Sequence, residues 1–491
     1  MIKRFFICCC LLAPLMLRGQ DKKTLTLKDV IDLAKTQSSI SLQAKNKFSN
    51  SYWQYRIYRS AKLPSLSFEG TLPNYFSSIR KISVPDGSDI FTRSEFLSAS
   101  GGFSLNQQVG WTGGSIFVNS SLQQLTLIRP YSDTSYLSTP VNIGFTQPLF
   151  AFNPYRWDNK IEPLKYSQAK QQYLEDVENL CIKATDAFFD LLLAQSNLES
   201  ALLNKATYDT LYKITKGRYE IGTIAENDLL QMELNLLNAN QQLAQAKLDV
   251  QIKTLQLKSL LGIKDNSELA LISPMSSVSF FTVDLSKAQT LALQNRPSII
   301  ENKVLLLEAE RDLAKARREN RFSVNIFGSY GLTQSADNIN LVYDDPLEQQ
   351  ALVIGIQVPI VDWGKSKAQI KMALSNQQLV QSVVEQSQAD FEQEVFIKVM
   401  EFNMQKDQLM IAAKADTVAH KRFLIAKQRF LIGKIDIETL SLAQKEKETA
   451  RSNYMEALRS YWRSYFEIRR ITLYDFETNQ PLSAPYDALV K

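Results

Sequence analysis

Two hydrophobic patterns alternate along this chain, one at the helical period and one at the period of a strand. Over 154–221 and again over 364–432 apolar positions recur helically, and Ile411, Val418, Ile425 and Ile432 return every seventh residue, as in a coiled-coil seam. Both runs end in one phrase, Arg218-Tyr219-Glu220-Ile221-Gly222-Thr223-Ile224 and, 211 residues later, Arg429-Phe430-Leu431-Ile432-Gly433-Lys434-Ile435. A new heptad pattern starts a few residues on, so each phrase predicts a helix hairpin whose turn uses glycine as the left-handed C-cap residue. The same offset carries Pro148 onto Pro359, leaving 74 residues between proline and glycine in both copies. At 1.5 Å per residue such a helix is roughly 100 Å long, whereas globular helices average about 11 to 12 residues. In the first returning helix Leu229, Leu236, Leu243, Val250 and Leu257 form a seam, with Met232, Ala239, Ala246, Lys253 and Leu260 three residues on. Ala443, Ala450 and Ala457 hold the matching sites in the second, and the two helices end at Gly262 and near Thr472.

Ahead of each long helix the period changes. Thr26 followed by Asp29 predicts an N-cap, and Leu27, Val30, Ile31 and Ala34 an apolar helix face, with the helix running over 27–60. It ends at Leu63-Pro64, where Ser65-Leu66-Ser67-Phe68-Glu69-Gly70 alternates. The second copy repeats this at an offset of 258, with Asp284 for Thr26, a helix over 285–320 and a strand from Ser323 to Gly328. Further strands are predicted at 96–109, 114–127, 141–150 and 351–361. Ile116, Val118, Ser120 and Leu122 share one face, and Phe117, Asn119, Ser121 and Gln123 the other. Such strands suit a wall between lipid and a polar lumen, and equally a soluble sheet with one wet face. The two offsets differ by 47 residues, which the first copy carries around a tight turn at Trp111-Thr112-Gly113-Gly114. They either add barrel strands or form an accessory hairpin.

Helix lengths extend the reading. A return of 36 residues cannot cover a helix of about 70, but 226–262 followed by 285–320 matches it, predicting two shorter helices stacked end to end. By the same count 27–60 continues 437–472. The resulting organisation is a signal segment at 1–19, a first repeat at 20–262, a linker at 263–284, a second repeat at 285–472 and a tail at 473–491.

Composition narrows the function class. Lys3 and Arg4, then an apolar stretch to Leu17 and Arg18-Gly19-Gln20, read as a secretory signal cut near Gly19. Bulky Phe6 and Ile7 ahead of Cys8, Cys9 and Cys10 speak against a lipidated cysteine. Removing the signal leaves Cys181 and no intrachain disulfide. It also lowers the formal charge from +5 to about +2, with basic and acidic residues interspersed as on solvated helix faces, which argues against a nucleic-acid partner. No other apolar run reaches the length of a membrane-spanning helix. The single histidine, His420, and the lone Cys181 left after the signal give no metal-ligand spacing, so neither metal, cofactor nor catalytic constellation is expected. Aromatics cluster beside the helix-strand switches, at Tyr52, Trp53, Tyr55 and Tyr58 and at Phe150, Phe152, Tyr155 and Trp157. They suit an interfacial belt or packing at the transition.

The tandem repeat, Ala61-Lys62-Leu63-Pro64 opening a strand, Gln147-Pro148-Leu149-Phe150 closing one and the twice-used Arg-aromatic-x-Ile-Gly turn together resemble the TolC family of outer-membrane efflux proteins. The resemblance covers nearly all of the chain after the signal. It implies a mainly α protein with a β-barrel portion: long antiparallel coiled-coil helices forming a periplasmic α-barrel, and transmembrane strands shared in a trimeric barrel. It further implies docking on a periplasmic adaptor (membrane-fusion) protein and an inner-membrane pump. The strand count points independently to a shared barrel, because two to four strands per copy cannot close a barrel of about 8 or more, and lipid does not tolerate open edges. A homotrimer in outer-membrane lipid is therefore expected. Gate aspartates implied by the family fall at Thr439 and Leu442, neither of them acidic.

The expected function is a passive export duct of a tripartite efflux system. A type I protein-secretion duct shares the architecture, and a non-conducting periplasmic scaffold or an enzyme are the readings from other classes. The turns at Gly222, Thr223 and Ile224 and at Gly433, Lys434 and Ile435 are expected to form the periplasmic tip that meets the adaptor. Just beyond them, Glu226, Asp228, Asp436 and Glu438 either complement the helix dipole or ring the tunnel mouth with carboxylates.

Overall fold

The computed structural model describes residues 22–83, 87–130, 132–265, 267–274 and 278–490, so the expected signal segment lies outside the described residues. In chain order the elements are β1 (Lys22–Leu25), α1 (Leu27–Gln37), α2 (Ser39–Ser60), β2 (Ser65–Ser83), β3 (Asp89–Val109), β4 (Gly114–Arg129) and β5 (Asp133–Leu149). Then come α3 (Pro154–Glu220), α4 (Glu226–Leu261), β6 (Glu268–Leu271), α5 (Leu285–Asn295) and α6 (Pro297–Glu319). The chain finishes with β7 (Ser323–Ala336), β8 (Leu347–Gln357), α7 (Lys365–Leu431), α8 (Ile437–Thr472), β9 (Tyr474–Asp475), β10 (Gln480–Pro481) and α9 (Tyr486–Val490). The protein is mainly helical, and α3 and α7 each run 67 residues unbroken.

The predicted helix starts hold. Thr26 Oγ1 accepts from the Asp29 amide at 3.3 Å while the Asp29 carboxylate accepts from the Thr26 amide at 2.9 Å, a capping box. Asp284 caps α5 by accepting from the Lys287 amide at 2.7 Å. The single helices expected over 27–60 and 285–320 are each broken once. Ser38 (ψ 140°) separates α1 from α2, and Arg296 (ψ 134°) separates α5 from α6. Arg296 precedes Pro297, whose ring disfavours a helical residue before it. At Ser38 the hydroxyl accepts from the Ile40 amide at 3.2 Å and so starts the second helix.

The chain folds as two units, each assembled from separate stretches of sequence. One comprises Met1–Lys47, Tyr173–Arg296 and Glu392–Pro485. In it β1 pairs in parallel with β6, joining the segment before α1 to the segment after α4. A Cβ added to Gly262, the left-handed C-cap of α4, would lie 2.9 Å from the Gln37 carbonyl oxygen. Asn295 Nδ2 donates to the Thr472 carbonyl at 3.1 Å. So α4 ends against the α1–α2 junction and α8 against the α5–α6 junction, the reverse of the expected partners. Residue counts satisfy either pairing equally, and the short β1–β6 ladder decides between them.

The same unit holds a buried ionic network. Arg469 donates to Glu178 at 3.0 Å and to Asp475 at 3.2 Å, and also to the Tyr465 hydroxyl at 3.2 Å. Arg470 and Arg296 share Glu394, at 3.2 and 2.6 Å. Burial pushes the Glu178 carboxyl above the ordinary glutamate range, and the Arg469 charge opposes the shift.

Of the expected seam residues, Met232, Ala239, Leu243, Ala246 and Leu257 in α4 and Ala443 in α8 are buried, while Leu229, Leu236, Val250, Lys253, Leu260, Ala450 and Ala457 are half-buried, and the buried alanines admit close helix approach. The seven-residue stripe of α7 behaves differently. Ile411 is 69% and Ile425 57% exposed, and the stripe extends back through Met404 and Ile397, both exposed. Among the described residues this stripe is left uncovered.

The other unit comprises Phe48–Gln172, Pro297–Phe391 and Tyr486–Lys491. Its sheet has six strands in the order β2-β3-β4-β5-β7-β8, antiparallel at every step. Strands β3 and β4, joined by the turn at Trp111 to Gly113, lie between β2 and β5. Five of the six strands, β2 to β5 and β7, outrun their predicted lengths. In contrast, β8 stops at Gln357 instead of 361, since Pro359 has no N–H for a ladder. The sheet is open, with β2 and β8 as its edges.

Candidate functional site

Two regions can carry function, the helix turns and the faces of the sheet. At the first turn Gly222 has φ 77°, and the Gly222 and Thr223 amides donate to the Tyr219 and Arg218 carbonyls at 2.8 and 2.9 Å. At the second, Gly433 has φ 75°, and the Gly433 and Lys434 amides donate to Phe430 and Arg429, both at 2.9 Å. These are paired Schellman motifs, which close the orphan carbonyls of α3 and α7 with a left-handed glycine. Nothing lies within 4 Å of a Cβ added at either glycine, so the requirement there is conformational and not steric.

The two turns are braced against each other. The Arg218 guanidinium donates to the Leu431 carbonyl at 2.7 Å, and Thr223 Oγ1 donates to the Arg218 carbonyl at 2.8 Å. Behind them Leu211, Met232, Phe423, Phe430, Ile437 and Leu440 form a buried cluster on which Ile435 packs. An open cleft of about 280 Å³ gathers Arg218, Thr223, Ile224, Asp228, Gly433, Ile435 and Asp436. Glu226 and Glu438 stand exposed outside it.

The four carboxylates are not equivalent. Asp436 is the N-cap of α8, accepting from the Thr439 amide at 2.8 Å, and hydrogen bonding from the Thr439 side chain, then from its amide, holds the carboxyl below the ordinary aspartate range. Ala225 occupies the same place before α4 and makes no side-chain cap, leaving Glu226 and Asp228 as first-turn acids. Thr439, where the family pattern implies an acid, serves the cap with its side chain and its amide, and Leu442 is exposed. Arg218 belongs to the recurring phrase, but its brace is not legible there, because it bonds a carbonyl 213 residues away.

The sheet separates polarity by face. Residues paired across strands point the same way, and one row reads Leu66, Leu105, Val118, Ile143, Tyr330, Gln350 across all six strands. The adjacent row, on the other face, reads Ser67, Ser104, Asn119, Asn142, Gly331, Gln349, with Ser104 Oγ donating to Asn119 Oδ1 at 2.8 Å. Apolar residues of the first face are well exposed, Phe68 at 64%, Ile143 at 51% and Ile356 at 68%. Glycine is required on the second face at Gly144, where a Cβ would run into the Phe117 ring and lie 2.7 Å from the Gly328 carbonyl oxygen. Among the described residues no group of His, Cys, Asp and Glu is placed to hold a metal, and no helix is long and apolar enough to cross a membrane.

Known proteins resemble this chain in sequence and in fold. The profile of the family described as "Outer membrane efflux protein" matches residues 108–263 and 288–472. The chain is 24% identical over 235 residues to "Outer membrane protein TolC" of Vibrio cholerae, covering 47% of this chain and 53% of that protein. It is 23% identical over 247 residues to "Alkaline protease secretion protein AprF" of Pseudomonas aeruginosa, 49% of each. The matched stretch thus spans about half the length of these curated relatives. Among solved structures, the Campylobacter jejuni CmeC outer membrane channel is similar with a TM-score of 0.66 at 16% identity, over 94% of this chain and 88% of that one.

Proposed function

Because the chain belongs to the outer membrane efflux protein family, we propose that it is a trimeric outer-membrane duct, fed through a periplasmic adaptor by an inner-membrane pump and passing cargo outward without chemistry. The observation that carries this reading is the two-faced sheet: one row apolar on five strands, with Leu66, Leu105, Ile143 and Tyr330 exposed, the next without an apolar side chain, and both edges open. An exposed apolar face suits lipid, a polar one suits a water-filled lumen, and open edges in lipid cost several kcal/mol for each unsatisfied backbone group. Three copies joined edge to edge leave no edge. The uncovered stripe of α7 supports the same reading, since a neighbouring copy supplies what the single chain lacks.

Mass measurement in mild detergent tests the assembly, with a trimer expected and a stable membrane-inserted monomer sufficient to reject it. Planar-bilayer recording tests the conduction. Trimers that insert and never conduct would favour the scaffold reading. Similarity to a protease secretion protein keeps protein export as a second reading. Loss of the gene should sensitise cells to small toxic compounds under the first reading and trap an exported protein under the second.

The sheet gives its own test. Ile143→Arg, on the apolar face, should destabilise the inserted protein by about 2–4 kcal/mol, the cost of a cation near mid-bilayer. Asn142→Arg, one residue away on the polar face, should be close to neutral. Equal effects, read from detergent unfolding midpoints, would remove the lipid assignment.

A further inference from the structure

We infer that the barrel wall has eighteen strands, six from each of three copies, with β3 and β4 as full wall strands and β8 of one copy pairing with β2 of the next. This rests on the trimeric duct reading and extends it to the size of the outer opening. The strands β3 and β4 share the pattern of their neighbours. Leu105 and Val118 continue the apolar row between Leu66 and Ile143, and Ser104 and Asn119 continue the polar row between Ser67 and Asn142. An accessory hairpin lying against the outside of a wall would not keep both rows unbroken.

The hairpin is also fixed at its base. Asn153 Nδ2 donates to the Gly110 carbonyl at 3.0 Å, and Gln107 Nε2 to the Lys62 carbonyl at 2.9 Å, so its turn is tied to the start of α3 and the end of α2.

The occupant of both edges is a second copy. Six strands fall below the roughly eight that close a spanning barrel, so the edges must be met from outside the chain. Because six is even, β2 and β8 run in opposite senses, and β2 of another copy continues the antiparallel alternation beyond β8. The apolar faces also match, Leu66 and Phe68 on one edge and Leu352, Ile354 and Ile356 on the other. An eighteen-stranded wall belongs to the size class that encloses an aqueous channel, so selection of cargo is left to the helical part of the duct.

The test is a distance. With Cys181 replaced by serine, a nitroxide on Ile143→Cys points outward from β5 and appears once per copy. From strand spacing and tilt, equivalent labels should lie about 42 Å apart if eighteen strands form the wall and about 31 Å apart if twelve do. Pulsed electron paramagnetic resonance on the detergent-solubilised complex, with its mass measured in parallel, reads both quantities. A trimer with the longer separation is expected. A trimer with the shorter one overturns the strand count and leaves the duct standing. A complex that is not a trimer overturns the duct reading and the count with it.

Discussion

Replacing Arg469 with methionine should lower the unfolding free energy by about 3–5 kcal/mol, the usual cost of removing one partner of a buried ion pair. Glu178, whose side chain is 3% exposed, would lose the guanidinium 3.0 Å away, and Asp475 would lose its contact at 3.2 Å. Water does not reach Glu178 to replace them. Burial already raises the Glu178 pKa, and without the arginine nothing on the network opposes that shift as strongly. A carboxyl with a raised folded pKa stabilises most below its unfolded value and loses that contribution as pH rises through the folded value. The variant's deficit should therefore be smallest below the ordinary glutamate value of 4.5 and should grow with rising pH above it. Adding Glu178→Gln should recover much of the loss, because the uncompensated charge is then gone. Thermal or denaturant midpoints in detergent across pH measure all three variants. A single-variant deficit below about 1 kcal/mol, independent of pH, would show that the network is not a structural clamp.

The double substitution Gly222→Val and Gly433→Val should abolish export while leaving trimers in the membrane. Each glycine has φ near 75°, where an ordinary L-residue costs roughly 1–2 kcal/mol and a β-branched one more. No neighbouring atom obstructs the new side chain, so the cost is relieved by moving the loop. That displaces Thr223-Ile224 and Lys434-Ile435 and loosens the Arg218 bond to Leu431. Asparagine tolerates the left-handed region, so the paired Gly→Asn variants should retain most activity. Trimer yield, export and crosslinking to the adaptor are the readouts. Normal export with normal crosslinking in the valine double variant would sink the tip assignment, and loss of trimer would show the turns to be structural only.

What can be read from the sequence is local. The Schellman glycines announce themselves because no other residue takes φ near +75° so readily, and the capping box because Thr26 and Asp29 are three residues apart. Period changes at Pro64 and before Ser323 locate the strands. Past the bulge between Thr71 and Asn74 the alternation of β2 changes phase, so Tyr75 and Phe76 no longer mark a face and the upper half of the strand is hidden from a periodic reading. The break at Ser38 depends on a hydroxyl bonding a nearby amide, a choice serine also has in unbroken helices. The partners of α4 and α8 depend on a ladder of four residues between segments about 246 apart. The clamp around Arg469 joins residues 178, 469 and 475, and no spacing rule links them. At the two turns, the left-handed glycines Gly222 and Gly433 are visible in the sequence. That Asp436 caps its helix while Ala225 cannot is written in the residue types, yet only the backbone geometry assigns the role.

The open edges of the sheet also have a genetic consequence. In a trimer closed through β2 and β8, every joint needs a sound edge from two copies, so one defective copy spoils the ring it enters. In a cell making equal amounts of normal and edge-damaged chains that mix at random, roughly one ring in eight would be wholly normal. Lesions on β2 or β8 should thus behave as dominant alleles, whereas a lesion that keeps the chain from folding before assembly should be recessive.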